Sequence, residues 1–133
     1  MTDERTRLED YGKLILRLAV GGLMLFHGVH KAGNGIDGIV QMVTGNGLPE
    51  ALAYGVYVGE ILAPIGLLLG LFVRTSGLLV AFTMAMAIGL AHSGDLTVIT
   101  EHGAWAVELQ MLYLLGGLSL AFLGGGRIGL LKR

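Results

Sequence analysis

The chain has 133 residues, a mean hydropathy of +0.71 and 14% charged residues, against roughly 25% in an ordinary soluble domain. Its net charge of −1 gives no long-range attraction to nucleic acid. With no cysteine it can form no disulfide, relay no electrons through thiols and hold no iron–sulfur cluster by thiolate.

Four apolar segments follow one another, at residues 14–30, 52–73, 75–91 and 104–123. Each is about 15 to 22 residues long, close to the roughly 20 that cross a bilayer as a helix. They lack period-two alternation, so helices rather than barrel strands must satisfy their backbones in lipid. The fold class expected is an all-α membrane protein, a four-transmembrane-helix bundle forming one domain over residues 1–133.

The first segment follows Arg5, Arg7 and Lys13 and contains Arg17. Arg17 interrupts the apolar run and no small-x-small site ends it, so it reads as a retained span rather than a leader. Arg17 either snorkels to the inner headgroups or faces the bundle. His27, His30 and Lys31 close the segment at helical spacing, so His27 shares a face with the other two. The outer loop, 31–51, carries GNG twice, and Ile36 to Met42 suits a short interfacial or re-entrant helix. Its glycines match a dinucleotide fingerprint by chance, since a membrane helix and not a strand precedes them.

The second segment places Tyr57, Glu60 and Pro64 along one helical face. Glu60 lies about 12 Å from the outer start at 1.5 Å per residue, and Pro64 deprives its carbonyl of the usual partner. A carboxylate at that depth must face the interior and be paired or protonated. The third segment has Gly77, Ala81, Ala85 and Gly89 at four-residue steps, a face for close helix packing or for dimerisation, and ends at His92. Glu101 and His102 precede the fourth segment, in which Glu108 is expected about 6 Å deep, sharing a face with Trp105 and Leu112. Gln110 points elsewhere and reads as packing.

Lys and Arg fix the expected orientation. Arg74 lies between segments two and three, and Arg127, Lys132 and Arg133 follow the fourth, so both termini are expected in the cytoplasm of a bacterial-type inner membrane. Tyr54, Tyr57 and Trp105 then fall near the outer interface. All four histidines gather in one outer layer with Lys31, Glu60 and Glu108. The plain reading of these residues is wetted helix ends and polar glue. The sharper one is an outward-facing polar pocket.

The ordered motifs LRLAVGGLMLFHGVHK (16–31), GLP (47–49), VGEILAPIGLLLGL (58–71) and AVELQ (106–110) resemble the DoxX family of small four-helix membrane proteins. The resemblance carries the family's characteristic polar positions to Arg17, His27, Lys31, Glu60 and Glu108, with His92 added from the residues. His30, Glu101, His102 and Tyr57 are secondary candidates. The ending departs from the family: FLGGGRIGLLKR stands where many members have Gly-Pro-Gly followed by Ser-x-Asp.

The resemblance implies a membrane subunit serving a quinone-linked or thiol-linked redox system through a partner protein. A quinone needs donors such as His27, His92 or Lys31, an apolar groove, and proton carriers such as Glu60 and Glu108. Three alternatives stand beside it. One is a small-molecule or ion transporter working as an oligomer. Another is a haem held between His27 and His92, or a metal held by His27, His30, His102 and a glutamate. The last is an assembly subunit held together by its polar cluster.

Overall fold

A computed structural model describes residues 2–131; Lys132 and Arg133, counted above toward the cytoplasmic charge, lie outside the described residues. Helix α1 (Thr2–Asn34) runs well beyond the expected span. Its first turns are polar and held by Arg5–Glu9 and Asp3–Arg7 pairs at i,i+4. Helix α2 (Asp37–Gly45) fills the outer loop where a short helix was expected, packing Val43 with Ile36 and Ala53 in a small apolar cluster of its own.

The second apolar segment forms α3 (Ala51–Tyr57) and α4 (Ala63–Leu69), joined without a break by a π-helical turn at Val58–Leu62. In that turn the Ala63 N–H donates to the Val58 carbonyl, one residue further back than in an α-helix. Helix α4 ends in a left-handed Gly70 and α5 (Val73–Ala91) starts after Phe72, itself left-handed at φ 47°. Helix α6 (Glu108–Leu123) completes the set. Among the described residues there is no strand, only an isolated bridge between Ile99 and Trp105.

Three helical runs, residues 3–34, 51–69 and 73–91, are long and apolar enough to cross a membrane, and α6 is a shorter apolar helix. The core is a column of Val20, Met24, Leu67, Val80, Met84, Tyr113 and Leu120 drawn from four helical runs. Leucines and phenylalanines such as Phe26, Leu62, Phe82, Leu112 and Phe122 point outward, as lipid contact requires.

Close approach is set by glycines. A Cβ on Gly77 would strike the Gly117 carbonyl, and one on Gly117 would lie 2.6 Å from the Gly77 carbonyl, so α5 and α6 cross backbone to backbone. On α1, Arg17, Gly21, Met24, Gly28 and Lys31 recur at steps of four, three, four and three, making one stripe. Gly21 meets the Pro64 carbonyl and Gly28 meets the Glu60 carbonyl. From the other side, Gly59 leaves room for Thr83 of α5. The π turn is thus clasped between two helices at positions that tolerate no side chain.

The fourth segment corrects the expectation in one respect. Residues 104–107 are not helical. Residues 96–106 form a hairpin-like loop in which Thr100 N donates to the Ala104 carbonyl and Ala106 N to the Val98 carbonyl. Gly103 at φ 82° makes the turn, and Trp105 Nε1 donates to the Leu96 carbonyl. Trp105 therefore shares no helical face with Glu108, and Glu108 is the first residue of α6 rather than a turn deep in it. An exposed carboxylate suits a helix N-terminus, where the dipole is positive.

Candidate functional site

The stripe on α1 carries a cation at each end, and the two have different fates. Lys31, at the C-terminal end, reaches Glu60 in the π turn, Nζ to Oε2 at 2.5 Å. The Glu60 side chain is 2% exposed and that of Lys31 30%, so the pair is anchored in the protein on the acid side and opens outward on the amine side. A carboxylate buried this far needs such a partner to stay ionised. Gly28 lets α1 come near enough for a lysine one turn further on to reach it.

Arg17, toward the N-terminal end, is buried and donates to main-chain carbonyls: Nε to Leu67 at 2.8 Å, Nη1 to Gly125 at 3.2 Å and to Ile128, and Nη2 to Leu68 at 3.5 Å. The Leu67 carbonyl belongs to the last turn of α4, where the dipole is negative, so the guanidinium is stabilised without a carboxylate. Arg17 fastens the segment after α6 to the end of α4 rather than snorkelling to headgroups, and it is absent from the cavity described next.

Above the Lys31–Glu60 pair lies a cavity of about 280 Å³. The structure brings His27, Lys31, Glu60 and His92 together on its wall. Four methionines, Met24, Met42, Met84 and Met86, with Leu52, Val56 and Leu90, make the apolar remainder. Thioethers on flexible chains adapt to varied shapes. His27 stands edge-on to Tyr113 with ring centroids 5.8 Å apart. At the other end, His92 Nδ1 lies 3.1 Å from Asp95 Oδ2 and His92 Nε2 lies 3.4 Å from Gln110 Nε2. An amide N–H there donates to Nε2, which leaves the ring proton on Nδ1, donated to Asp95.

Glu108, His30, Glu101, His102 and Tyr57 do not line the cavity. His30 is exposed and contacts Asn34, Glu101 and His102 are exposed in the hairpin loop, and the Tyr57 hydroxyl donates to the Lys31 carbonyl at 3.5 Å. Among the described residues no three of His, Asp and Glu gather as a metal-holding group, so the set of His27, His30, His102 and a glutamate is not assembled.

Sequence reasoning missed Tyr113, Gln110 and Asp95. Tyr113 and Gln110 are three apart on α6, a shared-face signal, and Asp95 follows His92 by three.

An all-helical set of lipid-facing helices around an ion-paired polar cavity defines a small multi-pass membrane protein. The DoxX family model matches residues 12–93, and the chain belongs to the DoxX family. It is 33% identical over 79 residues to a Bacillus subtilis protein named "Putative oxidoreductase CatD", covering 59% of this chain and 58% of that one, so the match spans under two thirds of that relative. It is 32% identical over 130 residues to an uncharacterized protein of Haemophilus influenzae, covering 93% of this chain and 91% of that one. No solved structure matches the chain.

Proposed function

We propose that the chain is a single four-span domain of the cytoplasmic membrane that binds the head group of a quinone in this cavity and serves an oxidoreductase through a partner protein. The observation that carries the reading is the cavity wall itself: a buried Glu60 paired with Lys31, and His27 with Tyr113, set into an otherwise apolar, methionine-rich surface. Family membership and the name of the Bacillus relative point the same way.

The residues fit the group. A volume of about 280 Å³ is near the lower end of the ~300–1,000 Å³ of small-molecule sites, suited to a ring rather than a long chain. Lys31, His27 and Tyr113 offer donors for a carbonyl oxygen. The methionines and leucines exclude water and accept a ring face. Glu60 and Lys31 form a neutral pair in which a proton can shift between Nζ and Oε2 without leaving a net charge in lipid. A bound quinone supplies the two-electron chemistry that this cysteine-free chain lacks; electrons would pass to or from a redox centre on the partner. Both ends of the chain belong on the cytoplasmic side in this reading, with the cavity facing out and small-residue helix faces available for a homo-oligomer.

The test is extraction and mass spectrometry of protein purified in mild detergent from its native membrane. A quinone near one per chain, lost from Glu60→Gln and His27→Ala variants that elute normally on gel filtration, is the expected result. A ligand-free wild type would overturn the quinone reading. Variants that misfold would instead make the cluster structural.

A further inference from the structure

Two polar pairs lie on the cavity, and they open to its surroundings differently: Lys31–Glu60 only through the lysine, His92–Asp95 through both partners. The Lys31–Glu60 pair ends in a buried carboxylate. The His92–Asp95 pair is partly open, with side-chain exposures of 34% and 46%. It sits where α5 ends, on the loop that leads to the hairpin. His92 and Gln110 line the cavity and Asp95 does not. One imidazole therefore has a nitrogen on each side: Nε2 toward Gln110 and the cavity, Nδ1 toward Asp95 and the loop.

We infer that His92 and Asp95 are the proton route between the cavity and the outer aqueous surface, with Gln110 positioning the ring. The inference rests on the reading of the cavity as a ligand site. Asp95 accepts from Nδ1–H and so fixes the tautomer and orientation of the ring, as a carboxylate behind a histidine does elsewhere. A hydroxyl in the cavity displaces the Gln110 amide N–H from the Nε2 lone pair and gives its proton to Nε2. The Nδ1 proton passes to the Asp95 carboxylate and from there to water. The ring then returns to its starting tautomer by rotation or by exchange with water, and uptake runs in reverse. No electron moves in these steps. The other titratable groups that share the cavity are His27 and Lys31 on α1, Glu60 in the π turn and Tyr113 on α6. Helix α2 contributes only Ile39, Met42 and Val43. None of these is in hydrogen-bond contact with His92, so Asp95 and Gln110 set the character of the ring.

The test is the rate at which diethyl pyrocarbonate modifies each histidine of the full chain in lipid nanodiscs at about pH 8.5, well above the ordinary imidazole value so that the rings react in their neutral form, read by mass spectrometry. His30, exposed and bonded to Asn34, is the internal reference. Asp95→Asn should slow modification of His92 roughly tenfold, leave His30 unchanged, and be rescued by Asp95→Glu. Equal His92 rates in wild type and Asp95→Asn would overturn the route. A second arm adds a short-chain benzoquinone to the wild type. Protection of both His27 and His92 supports the route. Protection of His27 alone places the ligand out of reach of His92 and overturns it. Protection of neither, with the Asp95 effect intact, removes the quinone reading and leaves the route standing for another ligand.

Discussion

Arg17 and Lys31 are alike in charge and stand on one stripe of one helix, yet what surrounds them gives them opposite uses. Lys31 meets a carboxylate and a cavity. Arg17 meets only carbonyl oxygens. Replacing Arg17 by Met strands several buried carbonyls, each costing about 1–3 kcal/mol. Arg17→Met should therefore lower the thermal midpoint in detergent by roughly 10 °C without removing a cavity ligand. Arg17→Lys should recover only part of the loss, because an ammonium cannot span carbonyls so far apart. Thermal melts beside ligand content check this; unchanged stability with lost ligand would place Arg17 in the site after all.

Helix contacts in this chain are decided at glycines, not at large side chains. Lipid gives apolar residues no reason to prefer one another, so helices associate where backbones touch. The Gly77–Gly117 approach is reciprocal, each would-be Cβ meeting the other residue's carbonyl. Gly117→Val should force α5 and α6 apart, cost more than the ~1–3 kcal/mol of ordinary overpacking, and show as aggregation or loss of yield. Gly89, with open space around its would-be Cβ, should accept Ala with no change in yield. The π turn is the second device at this scale. Gly28→Ala presses a methyl onto the Glu60 carbonyl. It should disturb the Lys31–Glu60 pair and lower both bound ligand and the thermal midpoint, which ligand content and melting measured on the same sample would show.

Across the whole molecule, the segment after α6 folds back over the N-terminal part of α1 and the C-terminal end of α4. Leu130 N donates to the Leu69 carbonyl, and Asp10 accepts from Arg127 through both Nε at 2.7 Å and the backbone N at 3.2 Å. The Arg127 side-chain hydrogen bond holds the Asp10 carboxyl below its ordinary value. A carboxyl with a depressed folded value stabilises the fold fully above its unfolded value, about 3.9, and loses that contribution as pH falls through the folded value. The melting difference between wild type and Asp10→Asn should thus hold near neutral pH and shrink below about pH 4. A difference that persists into strong acid would mean the pair contributes through packing alone. The absence of cysteine makes topology directly testable. Single cysteines at Thr75 and Thr97 should react with an impermeant maleimide from opposite sides of the membrane, with Thr97 on the outside. Labelling from the same side would refute the proposed four-span arrangement.

Hydropathy alone determined that this is a helical membrane protein, because lipid forces every long apolar run to satisfy its own backbone. Helical spacing also brought His27, Lys31, Glu60 and His92 into one layer as candidates, since depth follows from residue number along a straight helix. The same arithmetic misplaced Glu108, because residues 96–106 spend their length on a hairpin-like turn that apolarity does not reveal. It passed over Gln110 as packing and never weighed Tyr113 or Asp95. Whether a side chain meets a partner on another helix depends on how closely and at what rotation the helices approach. The glycine contacts and the one extra residue of the π turn set both, and they exist only between helices. The fate of Arg17 was undecidable for the same reason: its acceptors, at residues 67, 68, 125 and 128, are distant in sequence and converge only in the folded molecule.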